Sequence, residues 1–220
     1  PWDQTATGAR GFKPCCEGWY RKTFSANPLW KDKLVYLSFD GIMYVSDVYV
    51  NGTKVASSDY GYIGFEVEIS EYLDFDKPNV VAVWASTGPA KGSRWYTGAG
   101  LYRDVHVEVK NHTHIARNGI YVTTPKVSES NATVALQVEV DGFKNHDCLI
   151  KADIIAPDGT VVGHTESGIT FPTKLTCVEV RMPEISLVNP RLWSPDTPNL
   201  YTAYVEIWAD GILVDKKSDH

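Results

Sequence analysis

The amino-acid sequence predicts an all-β chain made of two antiparallel sandwiches. Apolar and polar residues alternate over short runs, which is the pattern of strands with one face buried. No run shows the period of about 3.6 residues that marks an amphipathic helix. The chain contains 7 Trp, 12 Tyr and 7 Phe, and aromatic residues are enriched in strands because they pack well on a pleated surface.

The first half of the sequence contains a series of strand patterns separated by turn residues. Val35, Leu37 and Phe39 fall on one face of the second pattern, and Asn51-Gly52 is a two-residue hairpin turn after the third. The fifth pattern, at 79–84, is apolar on both faces, which predicts a central strand. The residues before it, 71–78, are predicted to form a turn or a single helical turn. The predicted strands are 18–24, 33–40, 44–50, 65–69, 79–84 and 105–109.

A polar stretch at 110–117 separates this series from a second one. We place the two domains at residues 1–113 and 114–220. About seven strands in roughly a hundred residues is the size of an immunoglobulin-like sandwich, although the sequence lacks the Cys–Trp–Cys pattern of antibody domains. The predicted strands of the second domain are 119–122, 134–140, 149–155, 177–182 and 201–207, with turns at 157–159 and 210–211.

Charge and hydropathy exclude two classes of partner. The net charge is −6 and no basic run offers a track for phosphates, so we predict no binding to nucleic acid. No apolar run reaches membrane-spanning length and no signal peptide opens the chain, so we predict no membrane insertion. Because Pro1 follows no initiator methionine, we expect the chain to be a piece of a longer polypeptide.

The four cysteines predict no disulfide framework. Cys15 and Cys16 are adjacent, so a bridge between them would need a strained ring. Cys148 and Cys177 would meet if their strands were neighbours, but two buried free thiols are the favoured interpretation. No Cys-x-x-Cys spacing occurs, which excludes the common kind of structural zinc site.

We predict no metal and no cofactor. His112-x-His114 is a pair of imidazoles, but no carboxylate or third imidazole lies near it in sequence. Gly98-x-Gly100 leads into a strand rather than a helix, so it lacks the helix N-terminus of a phosphate-binding loop.

The segment 93–105 is the best candidate for function. It holds two arginines and three aromatic residues within ten positions, a composition that packs against a partner or binds a ligand that stacks on rings. The candidate contact residues are Arg94, Trp95, Tyr96, Tyr102 and Arg103.

This segment resembles the end of the first domain in glycoside hydrolase family 2, the family of β-galactosidases and β-glucuronidases. The family pattern reads roughly Ser-Arg-Trp-Tyr-Pro-Gly-Ser-Gly-Ile-Tyr-Arg-Asp-Val, and residues 93–105 match it at all but three positions. The three differences are Thr97 for proline, Ala99 for serine and Leu101 for isoleucine. Gly-Trp-Tyr-Arg-Lys-Thr-Phe at 18–24, Val-Tyr-Val-Asn-Gly at 48–52 and Leu-Trp-Ser-Pro-Asp at 192–196 resemble further family motifs. The resemblance spans nearly the whole chain.

The resemblance implies a jelly-roll, galactose-binding-like domain followed by an immunoglobulin-like domain. In the family a (β/α)₈ barrel follows and hydrolyses β-glycosides with retention, using two glutamates. The chain has no Asn-Glu pair of the kind that carries the acid/base glutamate, so we expect no catalytic residue within it. Glu66 and Glu68 lie two residues apart on one solvent-facing side of a predicted strand and are not expected to catalyse. The expected partners are the barrel of the same polypeptide and a β-glycoside.

For the candidate contact residues, the resemblance implies packing against the barrel more than direct contact with substrate. One branch of related β-galactosidases has an acidic residue about where Arg94 stands. Arg94 would instead pair with a sugar carboxylate, as in a uronide, or brace the domain interface. Arg103 and Asp104 are expected to form a structural pair at the start of their strand. We also expect an exposed apolar patch around Trp95, Tyr96 and Tyr102.

Two other functions compete with this interpretation. A stand-alone carbohydrate-binding module would present the flat ring of Trp2, Trp30 or Trp95 to a sugar. An immunoglobulin-like surface or adhesion protein would have disulfides, which the cysteine positions do not favour. The sequence favours the bacterial periplasm or cell surface slightly over the cytoplasm.

Overall fold

The computed structural model describes residues 17–88, 98–142, 147–171 and 176–220. Within these ranges the chain is all-β, which confirms the predicted fold class, and the only helical segments there are two 3-10 turns at Pro28–Trp30 and Ser70–Tyr72. The chain divides into two compact units, Pro1–Val109 and Lys110–His220. None of the helices in the described part is long and apolar enough to cross a membrane.

The first unit contains the two facing sheets of a sandwich. One has the strand order β1-β7-β4-β5, the other has β6-β2-β9, and β3 and β8 form a short pair. The strands are β1 Glu17–Phe24, β2 Leu34–Phe39, β3 Ile42–Met43, β4 Val45–Val50, β5 Thr53–Ser58, β6 Phe65–Glu68, β7 Asn79–Ser86, β8 Gly100–Leu101 and β9 Val105–Lys110.

Alternation along the strands builds the core of this unit. Val35, Leu37 and Phe39 all point inward from β2, as the sequence predicts, and pack in one cluster with valines of β4 and β7. The β7 strand is central, because it pairs antiparallel with β1 on one side and β4 on the other. Asn51 and Gly52 both have positive φ, at 50° and 86°, which is the backbone of the predicted two-residue hairpin turn.

The second unit is also a pair of antiparallel sheets. One has the order β10-β11-β14 with β15 also paired to β11, and the other has β13-β12-β16-β17. The strands are β10 His114–Val127, β11 Asn131–Gly142, β12 Asp147–Ile155, β13 Val161–Thr170, β14 Thr176–Arg181, β15 Ile185–Val188, β16 Thr202–Ala209 and β17 Ile212–Asp219. The five strand ranges predicted for this domain correspond to β10, β11, β12, β14 and β16 and miss β13, β15 and β17. In the first unit the prediction missed β3, β5 and β8.

Two details of the sequence interpretation are wrong. The polar stretch predicted at 110–117 enters β10 at His114, and the side chains of His114, Ile115 and Ala116 are buried. Cys148 is a buried free thiol, but Cys177 is exposed, because Val178 and Val180 take the inward positions of β14. Although Cys177 is exposed overall, partial desolvation of its thiol and the nearby Asp141 carboxylate raise the pKa of Cys177 to about 11.

His114 is a buried imidazole at the start of β10. Its Nδ1 lies 2.9 Å from the carbonyl oxygen of Asn111, and its Nε2 lies 3.6 Å from Asp141 Oδ2. Burial lowers its pKa below the ordinary value of 6.5, and the charge of Lys110 adds to this effect. The Asn111 carbonyl and the carboxylates of Asp141 and Asp215 act in the opposite direction, but the desolvation of the imidazolium prevails.

We therefore expect the free energy of unfolding to fall as the pH drops below about 6.5. In that range the unfolded chain binds a proton that the folded His114 does not yet take up, so acid favours unfolding. Urea denaturation at a series of pH values between 7.5 and 5 measures this slope. His114→Gln should flatten this slope. An unchanged slope in His114→Gln would contradict the assignment.

Candidate functional site

The candidate site is the edge of the first unit where β8 pairs with β3. Ile42 lies opposite Leu101, and Met43 lies opposite Gly100. This pairing fixes the end of the segment that the sequence singles out. Arg94, Trp95 and Tyr96 lie outside the described residues, so the structure places only Tyr102 and Arg103 of the five candidate contact residues.

Tyr102 packs against Gly41 and Gly61, and we call this position the seat of Tyr102. Its hydroxyl donates a hydrogen bond of 2.8 Å to the carbonyl oxygen of Gly61. Its ring lies over Gly41, where an added Cβ would fall 2.8–2.9 Å from three atoms of the ring and hydroxyl. No side chain fits at residue 41 unless Tyr102 moves. About 38% of Tyr102 remains exposed, so one part of the ring is held while another faces solvent.

Gly100 brings two of the recognised motifs into contact. It has a φ of +68°, and a Cβ on it would lie 1.9 Å from the hydroxyl oxygen of Tyr20. Glycine is the residue that accepts both this backbone conformation and the close approach. Tyr20 belongs to the Gly-Trp-Tyr-Arg motif on β1, so the motifs at 18–24 and 93–105 meet at this edge.

Arg103 does not form the predicted pair with Asp104. Its guanidinium carbon lies 5.6 Å from the centroid of the Tyr102 ring, within the range of a cation–π interaction.

Three exposed apolar residues that the sequence analysis did not single out flank the seat of Tyr102. Tyr60, Tyr62 and Ile63 are 50%, 59% and 67% exposed, and they surround Gly61, whose carbonyl accepts the bond from Tyr102. The rings of Tyr60 and Tyr62 meet edge to face with centroids 6.0 Å apart. We call Tyr60, Tyr62, Ile63 and Tyr102 the aromatic patch. The run Tyr-Gly-Tyr-Ile-Gly at 60–64 is the signal that would have pointed to it.

One group of side chains at the same edge has the composition of a metal site. Asp40 follows β2, and Asp104 and His106 lie just before and within β9. One ligand atom of each lies within 4.8 Å of the others. The backbone N–H of Asp40 donates to the carbonyl oxygen of Asp104 over 3.1 Å, which holds the two segments together.

The second unit has a separate exposed surface in the loop before β16. Leu192, Trp193 and Leu200 are exposed there. The loop is held by local hydrogen bonds, among them one from the Asn199 amide to the Leu192 carbonyl and one from the Arg191 N–H to the Tyr201 hydroxyl. A loop ordered by its own bonds that still exposes large apolar side chains is typical of a contact surface.

Glu66 and Glu68 are both among the residues that the structure describes. Both are on β6, where Glu66 is half-buried and Glu68 is exposed, and each faces a residue of β2 in register, Ser38 and Tyr36.

Two family models together match almost the whole chain. The model described as "Glycosyl hydrolases family 2" matches residues 113–220, and that of a "Glycosyl hydrolase 2 galactose-binding domain-like" region matches residues 16–118. Both models describe parts of the same enzymes.

The similar proteins are much longer than this chain. A β-galactosidase of Bacteroides ovatus is 32% identical over 208 residues, which is 94% of this chain and 24% of that protein. A β-glucuronidase of Bacteroides fragilis is 29% identical over 90% of this chain and 30% of that protein. A solved structure of a glycosyl hydrolase family 2 member from Bacteroides cellulosilyticus superposes with a TM-score of 0.88 at 32% identity, covering 96% of this chain and 27% of that one. A Bacteroides uniformis β-glucuronidase gives 0.84 at 26% identity, covering 93% and 26%.

Proposed function

This chain belongs to glycoside hydrolase family 2, and we propose that it forms the two non-catalytic β-sandwich domains at the front of a retaining, β-galactosidase-like enzyme of carbohydrate breakdown. The observation that carries the proposal is that the family models cover nearly the whole chain, whereas the chain covers only a small share of each relative. Two family models cover residues 16–220 in succession, while the chain spans only 24% of the β-galactosidase and 30% of the β-glucuronidase to which it is similar.

A non-catalytic role is supported by the carboxylates of the chain. Retaining hydrolysis needs two carboxyl groups about 5–5.5 Å apart on either side of the glycosidic bond, one as acid/base and one as nucleophile. The sequence has no Asn-Glu pair, and its closest pair of glutamates, Glu66 and Glu68, projects from one strand. The two catalytic groups are therefore proposed to come from a barrel domain.

The aromatic patch supports a structural role for the first unit. Exposed apolar side chains clustered on one edge are typical of a surface that a partner covers. We propose that the patch, together with Arg103, packs against the barrel of the same polypeptide. Arg94, Trp95 and Tyr96 are proposed to extend this contact towards the substrate.

A stand-alone carbohydrate-binding module is the second candidate, and an open groove supports it. The groove has a volume of about 280 Å³ and is lined by Trp30 and Phe75 with Lys31 and Lys33. The Lys31 ammonium lies 5.5 Å from the centre of the Phe75 ring. Aromatic rings stack on the apolar face of a sugar, and ammonium groups bind hydroxyl or carboxylate oxygens.

The isolated chain is expected to release no nitrophenol from nitrophenyl β-galactoside or β-glucuronide above the buffer rate. In calorimetric titrations, galactosides, glucuronides and oligosaccharides should give no binding at millimolar concentration. Turnover by the isolated chain would refute the non-catalytic assignment. Saccharide binding that Trp30→Ala abolishes would favour the second candidate instead, and exposed Trp193→Ala is the matched control.

A further inference from the structure

Asp40, Asp104 and His106 form a three-residue cluster that the proposed scaffold role does not use. Asp40 is half-buried, whereas Asp104 and His106 are exposed, so the cluster opens to solvent. Asp40 follows β2, and Asp104 and His106 lie just before and within β9, which is the neighbour of β2 in the sheet. The cluster is thus a feature of the folded sheet and has no counterpart in any short stretch of sequence.

The spacing of the side chains suits coordination better than direct pairing. His106 Nε2 lies 3.6 Å from Asp40 Oδ2, which is longer than a normal hydrogen bond of about 2.7–3.2 Å. Two ligands at about 2.1 Å from a tetrahedral zinc ion are about 3.4 Å apart. For comparison, His164 Nδ1 lies 2.6 Å from Asp153 Oδ1 in an exposed pair of the second unit. The ligand atoms of His106 and Asp40 thus lie at a separation that suits two ligands of one ion.

The charges of the cluster also favour a cation. Two carboxylates lie with oxygens within 4.8 Å of each other. The neighbouring cation in sequence, Arg103, has its guanidinium over the Tyr102 ring. The hydrogen bond from the Asp40 N–H to the Asp104 carbonyl holds the two acidic residues in place, so they do not separate freely to relieve their repulsion.

We propose that Asp40, Asp104 and His106 bind one divalent ion of the zinc class. An imidazole nitrogen with two carboxylate oxygens is a donor set for Zn²⁺, Co²⁺ or Ni²⁺, whereas Ca²⁺ takes six to eight oxygens. Three protein ligands leave a fourth position for water. The ion ties the end of β2 to the start of β9, next to the seat of Tyr102, and so stiffens the edge that carries the aromatic patch.

The test is a calorimetric titration of the whole chain with zinc chloride at pH 7.5, with the cysteines kept reduced. His106→Gln and Asp40→Asn are expected to weaken one zinc site at least about tenfold. His164→Gln changes a histidine that has one carboxylate partner and, among the residues the structure describes, no third ligand, and it should leave zinc binding unchanged. Calcium chloride should give no binding at this cluster.

A second measurement identifies the site independently of stoichiometry. In histidine-selective nitrogen NMR, zinc should shift the ring signal of His106 and leave that of His164 in place. Circular dichroism confirms that each variant is folded. The proposal is overturned if zinc leaves the His106 signal unmoved, or if His106→Gln and the wild-type chain bind zinc with equal affinity.

Discussion

Asn79→Ala is expected to lower the free energy of unfolding of the first unit by about 3 kcal/mol or more. The Asn79 side chain is fully buried, and its Oδ1 accepts hydrogen bonds of 2.8 Å from the Asp74 N–H and from the Asn51 amide. Its own amide donates to the Asp74 carbonyl over 2.7 Å. Alanine removes all three hydrogen bonds, each of which stabilises the fold by about 0.5–1.5 kcal/mol.

The hydrogen-bond network around Asn79 also includes Asn51, so the loss of stability in Asn79→Ala involves both side chains. The Asn51 amide also donates to the Tyr72 carbonyl, and its Oδ1 accepts from the Val80 N–H. The two asparagines thus join the β4–β5 turn to the loop before β7. Urea denaturation measures the effect, and Asn131→Ala, at an exposed asparagine with a bond to Ser130, should change stability by less than about 0.5 kcal/mol. A loss below about 1 kcal/mol in Asn79→Ala would contradict a central role for this network.

Tyr62→Ser combined with Ile63→Ser is expected to separate the behaviour of the isolated chain from that of a longer enzyme containing it. Both side chains are exposed, so in the isolated chain the double variant should change the free energy of unfolding by less than about 1 kcal/mol. If the aromatic patch packs against a barrel, the longer enzyme should lose about 2 kcal/mol or more at that contact.

Thermal unfolding and kcat/KM of the longer enzyme, measured beside thermal unfolding of the isolated chain, check this result. The isolated chain serves as the control, because it carries the same substitutions without the proposed partner. An equal change in both proteins would mean that the residues act within their own sandwich. No change in either would mean that nothing covers the patch.

Strands whose side chains alternate cleanly were predictable from the sequence. β2 is an example, since Val35, Leu37 and Phe39 mark its inward face without any knowledge of neighbours. β7 was predictable as a central strand for a related reason, because apolar residues on both faces need cover on both sides.

Two of the missed strands, β13 and β17, lie where burial is weak. β17, Ile212–Asp219, is at the edge of its sheet, and most of its residues are exposed or half-buried. β13, Val161–Thr170, is also an edge strand with a single buried residue, Thr165. Edge strands carry polar and charged residues, which discourage further pairing, and this composition makes them resemble loops in the sequence.

The candidate site was predictable only where a motif marks it. Tyr102 and Arg103 lie in a recognised stretch, whereas Tyr60, Tyr62 and Ile63 join it through the carbonyl of Gly61. The prediction of no metal considered only histidines close in sequence. Asp40 and His106 meet because β2 and β9 are neighbours in the sheet, and local patterns carry no information about such a distant pairing.

The pairing of β1 with β7 has a consequence for how the protein is made. β1 leaves the ribosome before β2 to β9, but its partner strand β7 is synthesised only after β2 to β6. Until then Trp19 and Tyr20 have no sheet to join, and closure of the first sandwich depends on a contact between distant parts of the chain. Such non-local closure is slow, so the nascent chain exposes an unpaired strand for a long interval, during which chaperones have the greatest opportunity to bind it.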